Sequence, residues 1–183
     1  MPENWKTLQR QVVLHSGKFL SVEQHTVQLP DGSTIEDWMW VITPDYINVV
    51  LLDEEEQFIL FRQGKYGYDG LSLAPVGGLM EPGEDALSAA KRETLEETGF
   101  IAQTWISLGS TVVDANRGCG TAHGFLALGG HKIQEPSADD LEEQQMLRLS
   151  REEVENALHD NQFRVLAWSH VIARGLLYLN RRK

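Results

Sequence analysis

Short apolar runs and alternating hydrophobic and polar positions dominate the chain, with turn residues between them. Such runs predict β-strands, because successive side chains of a strand point to opposite faces of a sheet. The tetrapeptide Pro30-Asp31-Gly32-Ser33 predicts a turn, since proline fixes φ and Asp-Gly tolerates positive φ. We predict strands at residues 11–15, 19–29, 34–43, 47–52, 57–63, 107–113, 123–128 and 146–149, with 47–52 and 57–63 forming a hairpin.

Helices are predicted where apolar spacing is combined with end signals. Pro82-Gly83 marks a turn before the first helix, and Gly99 suits the position after its end, where positive φ is needed. Ser150 and Glu153 predict a capping box at the start of the second helix. We predict helices at residues 84–98, 151–158 and 166–180, so the 183 residues form an α/β protein with a substantial core.

Composition and charge narrow the class of protein. Hydrophobic residues make up 42% and charged residues 23%, as in globular proteins, and no apolar run approaches the roughly 18–20 residues of a membrane span. The net charge of −11 argues against a long nucleic acid as partner. The first residues lack the apolar core of a signal peptide, and a single cysteine excludes an intrachain disulfide. These observations predict a cytoplasmic protein that binds neither membrane nor nucleic acid.

The first predicted helix carries most of the candidate chemistry. One line on its helical wheel holds two alanines followed by two glutamates: Ala86, Ala90, Glu93 and Glu97. Glu96 lies beside this line. Carboxylates crowded on an inward face repel one another, and a hard divalent cation such as Mg²⁺ or Mn²⁺ removes that cost. We therefore expect Glu93 and Glu97 to bind metal against a phosphate chain, with Glu96 sharing or bridging.

An alternative is a solvated helix face on which Arg92 and Glu96 form an i,i+4 ion pair. That alternative must also explain the flanking residues. With each residue type at roughly 5–7% usage, seven fixed identities coincide by chance on the order of once in 10⁸–10⁹ windows. The metal site is therefore the better hypothesis. The seven positions, called the box residues below, are Gly78, Glu84, Arg92, Glu93, Glu96, Glu97 and Gly99.

The box residues resemble the Nudix box, G-x5-E-x7-R-E-U-x-E-E-x-G-U, in which U is a bulky apolar residue. Every invariant position matches, and Phe100 fits the last apolar position. Thr94 stands at the other apolar position, a departure that concerns packing and leaves the carboxylates unchanged. The resemblance implies a Nudix hydrolase with an α/β/α sandwich fold and a mixed sheet, preceded by an antiparallel β-hairpin subdomain. It also implies Mg²⁺ as cofactor, for which Mn²⁺ can substitute.

A longer and less specific resemblance is to the ADP-ribose pyrophosphatase branch of this family. Residues 19–33 are similar to its N-terminal hairpin, and residues 73–78 to its E-L-P-A-G-G strand end, with leucine in place of glutamate. Residues 61–65 are similar to its R-Q-x-R segment, with Lys65 in place of the second arginine. Two features of the branch are missing: Asn116 replaces a proline beyond the box, and the loop that follows holds no glutamate. These departures leave the substrate undecided between ADP-ribose, a broader range of nucleoside diphosphate sugars and a different one.

The branch resemblance implies two parts and a homodimer. Residues 1–43 form the N-terminal β subdomain, and residues 44–183 form the Nudix hydrolase domain. The N-terminal hairpin packs across the dimer and helps to form the nucleoside pocket. Trp38 or Trp40 then lies near the partner's base site, where its ring can stack on a nucleobase. Packing in the core or in the dimer interface is the alternative for both residues.

Further roles complete the expected site. By resemblance, the Gly77 carbonyl adds a metal ligand. Gly78 lets the chain approach the phosphates without a side chain in the way. Arg92 orients the carboxylates around it, Glu84 among them. Lys65 is the candidate for a diphosphate contact, with a solvated lysine as the alternative.

Hydrolysis also requires a base that takes a proton from the attacking water. In the branch this is often a glutamate in a loop well after the box, which makes Glu142 the first candidate and Glu143 the second. Glu97 or Glu93 could serve instead. Arg117, in the loop near Asn116, is a candidate contact for a terminal phosphate or sugar, or else a solvated arginine.

We predict Mg²⁺-dependent hydrolysis of a small-molecule nucleoside diphosphate sugar, such as ADP-ribose, to a nucleoside monophosphate and a sugar phosphate. One alternative keeps the chemistry and changes the substrate to a dinucleoside polyphosphate, NADH or an oxidised nucleoside triphosphate. Another is a non-catalytic nucleotide-sugar sensor, although sensors of this type typically lose box carboxylates and this chain keeps them.

Overall fold

The computed structural model describes residues 4–137 and 144–181. The chain divides into two compact units. The first unit contains the residues up to Asp45 together with Thr111–Thr121, and the second contains Tyr46–Ser110 together with the residues from Ala122 onward. The chain therefore returns to the first unit after much of the second has been built, which the order of predicted elements did not indicate.

The first unit is antiparallel β-structure. Strand β2 (Leu20–Gln28) pairs with both β1 (Lys6–Ser16) and β3 (Thr34–Ile42). The predicted turn at 30–33 is confirmed, since the Leu29 N–H donates to the Ser33 carbonyl at 2.8 Å. Strand β1 begins earlier than predicted, at Lys6. Every residue of β1 is exposed, so backbone pairing with β2 extends it where no apolar alternation marks its start.

The second unit is built on a mixed sheet, as expected from the family resemblance. Its central strand β4 (Tyr46–Asp53) pairs antiparallel with β5 (Phe58–Gln63) and β7 (Val76–Leu79), and parallel with β10 (Gly118–Lys132). Strand β5 also pairs antiparallel with β6 (Ser72–Ala74) and β11 (Gln144–Leu149). Strands β8 (Phe100–Ile101) and β9 (Thr104–Asp114) pair with β10.

Helices cover both faces of this sheet. Strand β4 is buried along almost its whole length, and its side chains alternate between two cores. Val50 and Leu52 lie in a core shared with α2 (Arg151–His159) and α3 (Leu166–Asn180). Val49 and Leu51 lie in a core shared with α1 (Ala86–Thr98). The α/β/α sandwich is therefore confirmed, and burial on both faces explains the unbroken apolar run of β4.

The helix ends follow local side-chain chemistry. The predicted capping box of α2 is present, with the Ser150 N–H donating to Glu153 Oε2 at 2.7 Å. Helix α1 begins two residues later than predicted because Asp85 is its N-cap and accepts the N–H groups of Leu87 and Ser88, each at 3.1 Å. Glu84 therefore lies just before the helix.

Two short strands replace the single strand end predicted at residues 73–78. Pro75 separates β6 from β7, because it has no N–H with which to continue a ladder. Strand β8 is only two residues long and was not predicted. Within the described ranges, no helix is long and apolar enough to cross a bilayer.

Gly99→Ala tests the junction between α1 and β8. Gly99 has φ of 76°, and a Cβ at this position would overlap the Gln134 carbonyl. We expect the free energy of unfolding, measured in urea, to fall by about 2–3 kcal/mol. Gly83→Ala is the matched control, because Gly83 has φ of 82° with nothing within 4 Å of its Cβ position. It should lose only about 1 kcal/mol. Equal losses would contradict the role of close packing against Gln134.

Candidate active site

The box residues meet where β7 runs past helix α1. In the ladder with β4, Gly77 lies opposite Asn48 and Gly78 lies opposite Ile47. The Gly77 N–H donates to Glu97 Oε2 of the helix at 3.1 Å. The strand and the helix thus place the glycine pair directly against the carboxylate-bearing side of α1.

The absence of side chains at the glycine pair makes this approach possible. A Cβ at Gly78 would overlap the carboxylate of Glu93. A Cβ at Gly77 would lie 2.8 Å from Asn48 Nδ2 and 3.1 Å from the Ile47 carbonyl oxygen. Neither glycine has positive φ, so both positions require glycine for space rather than for backbone conformation.

Arg92 holds the carboxylates together. Its Nε and Nη2 donate to the two oxygens of Glu84 at 3.0 and 2.9 Å. Its Nη1 donates to Glu93 at 2.8 Å and to Glu96 at 3.1 Å, and Nη2 also reaches the Leu79 carbonyl at 3.2 Å. One guanidinium therefore joins three box glutamates to the end of β7, and the pairs expected with Glu84 and Glu96 are both present.

These contacts shift the titration of both partners. Hydrogen bonds from Arg92 are the main cause that lowers the pKa of Glu84 below its ordinary value. Hydrogen bonds to Glu84, and then to Glu93 and Glu96, outweigh partial burial and raise the pKa of Arg92. Both groups are therefore charged at neutral pH.

The buried line of α1 differs from the predicted one. Ala90, Thr94 and Thr98 are the fully buried residues spaced four apart, whereas Glu93 and Glu97 are half-buried beside them. Threonine is accommodated because its hydroxyl can bond a carbonyl of its own helix, and Thr94 Oγ1 donates to the Ala90 carbonyl at 2.7 Å. This also explains how Thr94 fills a position that is usually apolar.

Asn48 belongs to the site but was not singled out from the sequence. It is 5% exposed, and its Oδ1 has no hydrogen-bond partner among the described residues. Its Nδ2 donates to the Ile47 carbonyl. The available signal was one asparagine inside the apolar run of β4, since a buried polar side chain normally has a specific partner or a function.

The donor chemistry fits a hard divalent cation. The carboxylates of Glu93, Glu96 and Glu97 and the carbonyl of Gly77 are oxygen donors of the kind that Mg²⁺ and Mn²⁺ prefer. The missing side chain at Gly78, which leaves room for the Glu93 carboxylate, and the orphaned oxygen of Asn48 agree with such a site. In the described part of the chain, no three His, Cys, Asp or Glu side chains already converge as a metal cluster, and the box carboxylates bond instead to Arg92 and the Gly77 N–H.

Lys65 follows β5 at the same end of the sheet as the glycine pair. In the antiparallel β4–β5 ladder, with Leu51 opposite Ile59, β5 runs toward the end of the sheet at which β4 starts. Strand β7 pairs with that same half of β4. Lys65 is half-buried, and its carbonyl accepts the Tyr68 N–H at 3.2 Å.

The candidate bases Glu142 and Glu143 lie outside the described residues. Strand β11 resumes at Gln144, which pairs with Gln63 at the end of β5. The described chain after these two glutamates therefore restarts at the sheet end that carries Lys65.

The remaining candidates, Trp38, Trp40 and Arg117, lie in the first unit. Trp38 meets Trp5 edge-to-face with ring centroids 5.0 Å apart, and Trp40 stacks on His25 at 6.0 Å. These aromatic side chains line a cavity of about 480 Å³, called the tryptophan cavity below, whose walls also include Arg10 and Asn116. Trp5 was not singled out from the sequence, because its partner is distant along the chain.

Arg117 lies at the turn between β9 and β10. Its side chain is 70% exposed and forms an ion pair with Asp114 at 3.3 Å. The same Asp114 carboxylate accepts the backbone N–H groups of Asn116 and Arg117 at 2.8 and 3.0 Å. The turn is therefore organised by Asp114, while the Arg117 guanidinium stays accessible to solvent.

Comparison with known families assigns both parts of the chain. Residues 42–169 match the NUDIX domain. Residues 5–41 match the nucleoside diphosphate sugar hydrolase N-terminal domain. The first match includes all the box residues, and the second includes strands β1 to β3 almost completely.

Two individual proteins are similar to this chain, one in sequence and one in structure. A CMP-5'-(N-acetyl-N-hydroxy-3-aminopropyl)phosphonate hydrolase from Streptomyces rubellomurinus is 33% identical over 88 residues, which is 48% of this chain and 42% of that protein. The match thus spans less than half the length of this relative. A solved ADP compounds hydrolase superposes with a TM-score of 0.85 at 19% identity, over 100% of this chain and 97% of the other. This second likeness establishes the fold.

Glu84→Gln tests the ion pair with Arg92 through its pH dependence. The folded protein lowers the pKa of Glu84 below 4.5, so the stabilisation is complete above pH 4.5 and is lost as the pH falls through the lowered pKa. We expect the variant to be less stable than wild type by about 1–2 kcal/mol at pH 7, with the difference shrinking as the pH falls below 4.5, measured by urea unfolding.

The control for this experiment is Glu54→Gln, at an exposed position of the same unit. It should change the free energy of unfolding by less than about 0.5 kcal/mol at pH 7 and at pH 3. A difference between Glu84→Gln and wild type that is the same at pH 7 and pH 3 would contradict the ionic origin of the contribution.

Proposed function

The chain belongs to the Nudix hydrolase family, in its ADP-ribose pyrophosphatase-like branch, and we propose that this pyrophosphatase cleaves a nucleoside diphosphate sugar to a nucleoside monophosphate and a sugar phosphate. The observation that carries the proposal is the nucleoside diphosphate sugar hydrolase N-terminal domain match directly before the Nudix domain. The complete set of box carboxylates supports hydrolysis as the outcome of binding.

The base and the sugar of the substrate belong to this proposal as well. ADP-ribose is the first substrate we propose, because the branch resemblance points to it. Asn116 stands where ADP-ribose-specific relatives have a proline, which supports a broader range of sugars. The Streptomyces relative is named for a cytidine nucleotide, so a cytidine diphosphate sugar is the second substrate class to test.

Members of this family generally use divalent metal ions. We propose Mg²⁺, with Mn²⁺ as a substitute, held by the carboxylates of Glu93, Glu96 and Glu97 and by the Gly77 carbonyl. When bound, such an ion neutralises phosphate charge and makes an attacking water more acidic. The chain itself orients these carboxylates. Arg92 donates hydrogen bonds to Glu93 and Glu96, and the Gly77 N–H donates one to Glu97.

Several residues are proposed to bind the substrate or move its protons. Lys65 contacts the diphosphate, supported by its place at the sheet end that carries the glycine pair. Arg117 contacts a terminal phosphate or sugar, supported by its exposed guanidinium. The general base is Glu142 or, as second choice, Glu143. Within the box, Glu97 or Glu93 is the alternative base.

Residues 1–43 are proposed to act as a dimerisation and nucleoside-binding subdomain ahead of the hydrolase domain at 44–183. Strand β1 exposes apolar side chains, among them Leu8, Val12 and Leu14. Within the described residues it pairs only with β2, so its outer edge can accept a second chain. The tryptophan cavity supports base stacking, because Trp38 and Trp40 line a space bounded by planar rings.

A substrate panel tests the proposed reaction. ADP-ribose, GDP-mannose, UDP-glucose and CDP-glucose are incubated with the protein and Mg²⁺, and the release of nucleoside monophosphate is followed by chromatography. At least one compound should be cleaved, EDTA should abolish the activity, and Mn²⁺ should restore it. Glu97→Gln should lower kcat by about 10²–10⁴-fold, because it removes a metal ligand or base.

The control for Glu97→Gln is Glu152→Gln, which changes an exposed glutamate on α2. This variant should keep the wild-type kcat. Folded protein that cleaves none of the four compounds but does cleave NADH, a dinucleoside polyphosphate or an oxidised nucleoside triphosphate would overturn the sugar assignment and keep the chemistry.

Val12→Lys tests whether the N-terminal strands complete the site of a second chain. A lysine at this exposed edge position should repel a pairing strand, so the molar mass measured by light scattering should change from that of two chains to that of one. KM for the cleaved sugar should rise about tenfold if the partner contributes to base binding. Trp38→Ala should raise KM similarly without changing the mass.

Val112→Lys is the matched control, since Val112 is also an exposed valine and lies on β9 in the same unit. It should leave mass and KM unchanged. Wild-type protein with the mass of one chain would contradict the dimer, and a Val12→Lys monomer with normal KM would contradict a nucleoside contribution from the partner.

A further inference from the structure

A hairpin loop, residues 64–71, joins β5 to β6 just before the glycine pair. Its base is closed by the ladder in which Gln63 lies opposite Ser72. The loop carries Lys65 near its start and Tyr66 beside it, with the Tyr66 side chain fully exposed. Three of its eight residues are glycine, so the loop has little intrinsic stiffness and needs outside contacts to hold one conformation.

A segment after α2 binds the base of this loop. The Gln162 carbonyl accepts the Leu73 N–H at 2.9 Å and the Ser72 hydroxyl at 3.0 Å. The Arg164 N–H donates to Ser72 Oγ at 3.0 Å. Phe163, between them, is 1% exposed and packs in the core. The backbone of Arg164 is therefore fixed relative to the hairpin before its side chain makes any contact.

The Arg164 side chain then extends over the loop. Its guanidinium donates to the Asp69 carbonyl and lies 5.3 Å from the centre of the Tyr68 ring. Tyr68 ties the other side of the loop, because its N–H donates to the Lys65 carbonyl and its hydroxyl to the Gln63 carbonyl, each at 3.2 Å. A continuous chain of contacts thus runs from Arg164 through Tyr68 to the backbone of Lys65.

We propose that Arg164 is a positioning residue for substrate binding, which holds the 64–71 loop so that Lys65 is presented to the diphosphate. The inference rests on the proposed function, where Lys65 is assigned to the diphosphate. Arg164 acts through Tyr68 and needs no contact of its own with the substrate. Ordering the loop beforehand reduces the conformational entropy lost when the substrate binds, so removal of Arg164 should weaken binding more than it slows the chemical step.

The first measurement reports on the loop without any substrate. Hydrogen–deuterium exchange of the amides at 64–71 should be about tenfold faster in Arg164→Ala than in wild type, and intermediate in Arg164→Lys, which keeps the charge but not the planar donor. Arg174→Ala is the matched control, because Arg174 is an exposed arginine on the following helix and contacts none of this loop in the described structure. It should leave the exchange unchanged.

The second measurement is a double-mutant cycle between Arg164 and Lys65. For the sugar cleaved in the panel, Arg164→Ala should raise KM about tenfold with kcat within about twofold of wild type. In a Lys65→Ala background the same change should raise KM less than about twofold, because the residue through which Arg164 acts is gone. The dissociation constant of inorganic pyrophosphate in Mg²⁺ is measured alongside and should follow the same cycle.

These outcomes separate the two proposals. Unchanged exchange at 64–71 in Arg164→Ala, or equal effects on KM and pyrophosphate binding in both backgrounds, would overturn the positioning role. A protein that cleaves none of the sugars overturns the proposed function, and the exchange data together with the pyrophosphate cycle then decide the positioning role by themselves. A fall in kcat that matches the rise in KM would also overturn it, since a general loss of structure gives that result.

Discussion

The close approach of the Gly77–Gly78 backbone to the carboxylates of α1 is the constraint on which the rest of the site depends. A side chain at Gly78 would occupy the place of the Glu93 carboxylate, and one at Gly77 would meet Asn48 and the Ile47 carbonyl. Because the glycines are paired with β4, the central strand of the sheet, the core of the second unit holds this contact in place. Glu93 and Glu97 therefore lie against the strand backbone, which β4 holds in place.

Arg92 makes this crowding of negative charge tolerable. On a chain of net charge −11, it joins Glu84, Glu93 and Glu96 through charge-assisted hydrogen bonds and anchors them to the end of β7. Such a cluster is preorganised, since hydrogen bonds orient the carboxylates before any ligand binds. The same contacts that stabilise the fold thus set the electrostatics around the box residues.

The two units show different relations between pattern and structure. In the second unit, strand β4 has apolar side chains on both faces, and the helices that cover it lie where the sequence predicts them. In the first unit, β1 is exposed along its whole length, and the tryptophan cavity is assembled from residues up to about 110 positions apart, Trp5 and Asn116 among them. Sequence patterns over a few residues predict which side chains are buried. They do not predict which distant segments meet to form a cavity.

Features set by neighbours within a few residues could be read directly from the chain. The capping box at Ser150 and Glu153 and the turn at 30–33 are of this kind, because each depends on the geometry of one helical turn or one β-turn. Other features of the site depend on tertiary packing. Asn48 lies opposite Gly77, and Arg164 lies over Tyr68. The buried line of α1 contains Thr94, where the glutamates were predicted. Each of these depends on segments that come together only when sheet and helices pack, so no periodicity along the chain could show it.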